Sequence, residues 1–259
     1  MTDELNKIKF DFDHAQTTTQ QSLEVEDADA SGQEYDEESP TQHKFVRFRG
    51  DSWGDLIKVH GVKLPGPDGE DIQLPTNVIP PHAIHGFGFT SSWQEIGPGR
   101  SLLHLPKPYG GATFEQTIEV LDDAVRWSLE YDPGDCTLPA WFGMHPWFAR
   151  DLDRGGSAEI EFKAAKMLKR DDEGMPTGEF VPPSSGTWDD AFTEIQGVPA
   201  VIWEDAARID IESDAPWWVV YDEDPDGVCI EPQTAPPDAA NLGISGENYI
   251  EALFVFSAG

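Results

Sequence analysis

Short runs of alternating apolar and polar residues, cut apart by proline and glycine, constrain this chain more than any other feature. In residues 124–131 (AVRWSLEY), Val125, Trp127, Leu129 and Tyr131 share one parity, while Arg126, Ser128 and Glu130 take the other. In residues 114–120 (FEQTIEV), Phe114, Gln116, Ile118 and Val120 do the same, and Asp122–Asp123 between the two runs reads as a hairpin turn. Similar runs follow at 158–164, 207–213, 217–223, 227–232 and 249–258. No stretch sustains the i, i+3, i+4 spacing of an amphipathic helix, and 21 prolines punctuate the chain, so helices of one turn are the most it allows. The pattern predicts an all-β protein, a large antiparallel β-sandwich. No internal repeat suggests a propeller.

The sandwich is expected from residue 44 to residue 259. Residues 1–43 are polar and acidic with few large apolar groups, apart from a short strand-like run at 8–12, and read as a disordered tail. The whole chain has 49 acidic and 17 basic residues, a net charge of −32. Residues 1–45 hold twelve acids and three bases, which leaves 37 acids against 14 bases in the rest. Such a surface repels nucleic acid and anionic membranes, and fits a phosphorylated substrate poorly. It suits solubility in high salt. The start of the chain has no basic and apolar signal pattern, and no apolar run reaches the length of a membrane span, so a soluble cytoplasmic protein is expected. Cys136 and Cys229 stand far apart in neither a redox nor a zinc spacing, and neither a metal nor a cofactor is expected.

Polar groups interrupt the apolar texture in four places. In residues 138–148 (LPAWFGMHPWF), Pro146 pushes His145 towards an extended backbone amid Trp141, Phe142, Trp147 and Phe148. A histidine fixed there serves either as a satisfied core residue or as a positioned proton donor. His85, in AIHGF, precedes a glycine turn. His82 lies three residues before it, but Pro80 and Pro81 argue against a chelating helix. In TWDDAF, alternation sends one of Asp189 and Asp190 inward. In VCIEPQT, Glu231 ends a buried run, where a carboxylate is costly unless paired or put to use, which makes it the candidate general base. Residues 222–227 (DEDPDG) copy half a calcium loop and read better as an acidic hairpin turn. Phosphate-binding loops, HExxH and GxSxG are absent.

Taken together, AIHGF, FGMHPWF and EPQTAPPDAAN, in that order, resemble the aldose 1-epimerase (galactose mutarotase-like) family from about Phe45 to the end of the chain. TWDDAF, Trp93 and DAPWWVVYDE support the match. The resemblance implies a β-sandwich of the galactose mutarotase-like (supersandwich) type and interconversion of the α and β anomers of an aldohexose or related monosaccharide. It implies His145 as general acid, Glu231 as general base, and His85 and Asp189 as ligands of sugar hydroxyls. A sugar-contacting arginine of the family corresponds to Arg47 or Arg49, and Trp93 or Trp147 is placed to stack on the sugar. Ring opening removes a proton from the anomeric hydroxyl and delivers one to the ring oxygen, so the acid and base are expected on opposite sides of the pyranose. Two alternatives share the fold: a carbohydrate-binding domain without catalysis, and an epimerase of hexose 6-phosphates.

Overall fold

A computed structural model describes residues 64–65, 71–72 and 85–259, apart from 153 and 173. The tail assigned to residues 1–43, together with Arg47, Arg49 and His82, lies outside these described residues. The alternating runs become strands of two large sheets, and every strand pair is antiparallel. The first sheet has eight strands in the order β3 (Gln94–Gly97), β4 (Arg100–His104), β5 (Thr113–Val120), β6 (Ala124–Asp132), β16 (Tyr249–Ser257), β13 (Ala207–Glu212), β12 (Ala200–Trp203) and β8 (Glu159–Glu161). The second has six, in the order β10 (Pro176–Val181), β9 (Ala164–Arg170), β11 (Asp189–Ile195), β14 (Trp217–Tyr221), β15 (Gly227–Gln233) and β7 (Trp147–Ala149). A two-stranded ribbon pairs β1 (Leu64–Pro65) with β2 (Asp71–Ile72). Among the described residues the helices are α1 (Gly86–Thr90) and α2 (Ala239–Leu242), about one turn each, in keeping with the proline content.

The hairpin expected at Asp122–Asp123 joins β5 to β6, with Val120 opposite Val125. In β6 the even parity carries Arg126, Ser128 and Glu130, while Val125, Trp127, Leu129 and Tyr131 are buried. The core lies between the sheets, where aromatic rings of both layers meet. Phe254 of β16 touches Phe148 of β7 across the layers, at 6.3 Å between centroids, and Trp127 of its own sheet at 6.4 Å. Both Phe148 and Phe254 are fully buried.

Strand β15 differs from the others. All seven of its residues are buried, including Glu231 and Gln233. One face of the strand supplies Val228 and Ile230 to the core, as alternation requires. The other buries a carboxylate and an amide, and that asymmetry marks the site.

Replacing Phe254 by alanine should cost about 3–5 kcal/mol, because it leaves a cavity where the two sheets meet. Val120→Ala, at a position 56% exposed, should stay within about 0.5 kcal/mol. Urea denaturation of the two variants checks both values.

Candidate active site

Successive residues of a strand point to opposite faces, so Cys229, Glu231 and Gln233 share the face of β15 turned away from the core. The registers extend this face sideways. Glu231 pairs with Val219 and Cys229 with Tyr221 on β14; Tyr221 pairs in turn with Asp189 on β11, and Cys229 pairs with Trp147 on β7. Trp147, Cys229, Tyr221 and Asp189 therefore form one row across four strands. Glu231 stands in the next row.

The segment ahead of β7 brings His145 to this face. It runs along the end of β15, where the Met144 N–H donates to the Pro232 carbonyl at 3.0 Å and Gly143 bridges to Gln233. Thr234 fastens it by three bonds: its backbone N–H donates to the Phe142 carbonyl at 2.8 Å, its hydroxyl donates to the same carbonyl at 2.9 Å, and the Phe142 N–H donates to that hydroxyl at 2.9 Å. Phe142 packs edge-on against Phe114 of the eight-stranded sheet, at 4.8 Å. Gly143 has no substitute here, since a Cβ on it would lie 2.7 Å from Gln233 Cγ. So clamped, His145 places Nδ1 3.3 Å from Glu231 Oε1, with the two side chains 5% and 1% exposed. The structure brings the side chains of His145 and Glu231, expected to flank a sugar ring, into direct contact. Cys229 joins them, and one donor atom from each of the three residues lies within 4.8 Å of the others.

Burial pushes the Glu231 carboxyl up to about 7, and the negative charge of Asp189 adds to this, while His145 and the Gln233 amide work against it. Gln233 Nε2 donates to Glu231 Oε2 at 3.0 Å, leaving Oε1 for His145. His85 stands edge-on to His145 with ring centroids 5.4 Å apart. Burial and the neighbouring His145 push His85 down to about 3, so near neutral pH it presents an uncharged imidazole. Its backbone is left-handed at φ 64°, followed by Gly86 at φ 52°, a conformation that histidine adopts more readily than most non-glycine residues. Cys229 is pushed up to about 12 by burial and remains a thiol.

Asp189 and Asp190 are both held by Arg170, whose Nη1 reaches Asp189 Oδ2 and whose Nε reaches Asp190 Oδ1, each at 2.9 Å. Asp189 is 31% exposed and Asp190 11%, so both are half-buried on one arginine where alternation alone would send one inward and one to solvent. Trp147 lies against the site in a supporting role, its ring stacked on His145 at 5.4 Å and pressed against Gly227. Trp93 packs on the core, with its indole donating to the Gly88 carbonyl at 3.2 Å. Arg170, Cys229, Gln233 and Tyr221 were not assigned to the site by the sequence. The parity of Glu231 would have given Cys229 and Gln233, whereas Arg170 and Tyr221 reach the site through strand pairings that no local pattern encodes.

The half calcium loop holds a different cation. The Arg150 guanidinium donates to the carbonyls of Asp222 at 2.7 Å and Asp224 at 2.8 Å, and to that of Gly227 at 3.3 Å. The turn is an acidic hairpin, as expected. Both cysteines are free thiols, and among the described residues no helix is long and apolar enough to cross a membrane.

A scan against models of known protein families finds no match, and neither does a search of curated proteins. Solved structures do match. A protein of Escherichia coli K12 provisionally named aldose 1-epimerase superposes with a TM-score of 0.62 at 19% identity, over 80% of this chain and 82% of that one. An aldose epimerase homologue from C. elegans gives 0.61 at 15% identity, over 80% and 82%. A galactose mutarotase-like protein from Clostridium acetobutylicum gives 0.58 at 16% identity, over 80% and 78%. The chain thus folds as a galactose mutarotase-like β-sandwich, the architecture expected from its alternating runs and motifs.

Proposed function

We propose that this protein is an aldose 1-epimerase of the galactose mutarotase-like family, interconverting the α and β anomers of an unphosphorylated aldohexose or related sugar. The observation that carries this reading is the buried contact between His145 Nδ1 and Glu231 Oε1, formed between segments far apart in the chain on the outer face of one sheet. A binding module has no need of such a pair. Its ion-paired state, carboxylate beside imidazolium, is the one that opens a hemiacetal. Glu231 takes the anomeric proton while His145 gives one to the ring oxygen, and closure on the other face reverses both transfers. Contact with His145 favours the ionised carboxylate, against the burial that favours its neutral form, so the pair is poised near neutrality.

The neighbours suit a sugar. His85, held neutral, offers a hydroxyl both a donor and an acceptor. Asp189 is partly exposed and oriented by Arg170. That arginine is already shared between two carboxylates, which leaves little positive charge for a phosphate and argues against hexose 6-phosphates. One observation favours the alternative of a non-catalytic sugar-binding domain: the acid and base touch, so a pyranose must part them or sit over them.

Polarimetry of freshly dissolved α-D-glucose and α-D-galactose decides between these readings. Wild type should accelerate mutarotation, and Glu231→Gln should lower the rate about 10²–10⁴-fold while sugar binding persists. No acceleration of any common aldose would leave the binding domain as the better reading, and acceleration only of a 6-phosphate would reinstate that branch.

Glu231 must be ionised and His145 protonated to act, so kcat/KM should rise about tenfold per pH unit up to about 7, an apparent value that belongs to the pair, and fall again at higher pH as the imidazolium loses its proton. A pH profile corrected for buffer catalysis measures this.

Stability should run the other way. A carboxyl raised from 4.5 to about 7 on folding stabilises the native state when protonated, and that stability is lost as pH rises through about 7. Glu231→Gln is free of this loss. Thermal melts should show it matching wild type near pH 4.5 and exceeding it at pH 8, by about 1–3 kcal/mol.

A further inference from the structure

We propose that His145, Cys229 and Glu231 form a binding site for a thiophilic divalent cation of the zinc class, whose occupancy disables the proton-transfer pair. The second half of this proposal rests on the acid–base reading above; the first does not.

The chemistry of the three donors is specific. An imidazole nitrogen, a sulfur and a carboxylate oxygen suit zinc and its neighbours among the transition metals, whereas magnesium and calcium prefer oxygen alone. Among the described residues, the donor atoms of this trio converge within 4.8 Å of one another, and all three residues are buried. Zinc bonds to nitrogen and oxygen are about 2.0–2.2 Å long and those to sulfur about 2.3 Å, so donors around a tetrahedral ion lie roughly 3.3–3.6 Å apart. His145 Nδ1 and Glu231 Oε1 already have that spacing, at 3.3 Å. Cys229 lies two residues before Glu231 on the same strand face and is aligned with Trp147, which stacks on His145. Its sulfur already lies within 4.8 Å of the other two donor atoms.

The surroundings support an ion as well. Gln233 Nε2 holds Glu231 Oε2 and turns Oε1 towards His145, the kind of outer contact that orients a ligating carboxylate. On coordination the thiol gives up its proton, so that thiolate, carboxylate and neutral imidazole balance a dication and leave no net charge in a buried place. Three protein donors leave the fourth position of a tetrahedral ion open. With both Glu231 and His145 coordinated, neither can exchange a proton with a sugar.

The test uses tag-free, metal-free protein titrated with cobalt(II), a spectroscopic substitute for zinc. Wild type should bind one cobalt with a thiolate-to-cobalt charge-transfer band, and zinc should displace it. Cys136→Ser should keep the band. Cys229→Ser and Cys229→Ala should lose it and bind zinc at least roughly a hundredfold more weakly. Zinc should stop wild-type mutarotation, whereas each Cys229 variant should keep its own zinc-free rate when zinc is added. Absence of the band from wild type, or its survival in both Cys229 variants, overturns the site; that readout on wild type depends on no variant folding. A band accompanied by mutarotation indifferent to saturating zinc overturns the inhibitory half. A band in a protein with no mutarotase activity on any sugar leaves the cation site standing while the epimerase reading falls.

Discussion

The arrangement described here depends on the burial of one carboxylate. Glu231 sits on a strand with no exposed residue, flanked by β14 and β7, and its charge has to be answered within a few ångströms. His145 answers it from one side and the Gln233 amide from the other. The segment that carries His145 is shaped to that end: Thr234 fastens its backbone, Gly143 permits close approach, and Phe142 anchors it in the opposite sheet. Such a group costs the fold stability at high pH, because burial pushes its carboxyl well above the usual carboxylate range.

The two sheets divide the labour accordingly. The eight-stranded sheet supplies aromatic and aliphatic faces, such as Trp127, Phe114 and Phe254, and these hold the aromatic residues on either side of His145, Phe142 and Phe148, in place. The six-stranded sheet spends one face of its central strands on polar groups. Because Phe148 lies in the core and Trp147 beside the imidazole, one dipeptide of β7 joins the packing of the two layers to the position of His145.

Much of this was legible in the sequence where a local rule applied. Alternation in residues 124–131 gave β6 and its buried face, Pro146 marked the extended backbone at His145, and the glycine after His85 marked a turn. Glu231 stood out because three apolar residues precede it. Other features depended on pairings between distant segments. Arg170 reaches Asp189 only because β9 lies beside β11, and Tyr221 joins the row only through its pairing with Cys229. The direct contact of His145 with Glu231 escaped prediction for the same reason, since it follows from hydrogen bonds between Phe142 and Thr234, 92 residues apart. Trp93 and Trp147 were expected to stack on a sugar, but a tryptophan's surroundings are set by tertiary packing. One lies on the core and the other beneath an imidazole.

The guanidinium of Arg150 inside the 222–227 turn has a further consequence. That turn joins the strands bearing Tyr221 and Glu231, and its carbonyls converge as they would around a mineral ion. Because the cation filling it is tethered to the polypeptide, chelators cannot strip it and changes in dissolved calcium cannot exchange it. The alignment of these two strands is thereby set by a bonded residue and is independent of the ionic makeup of the medium.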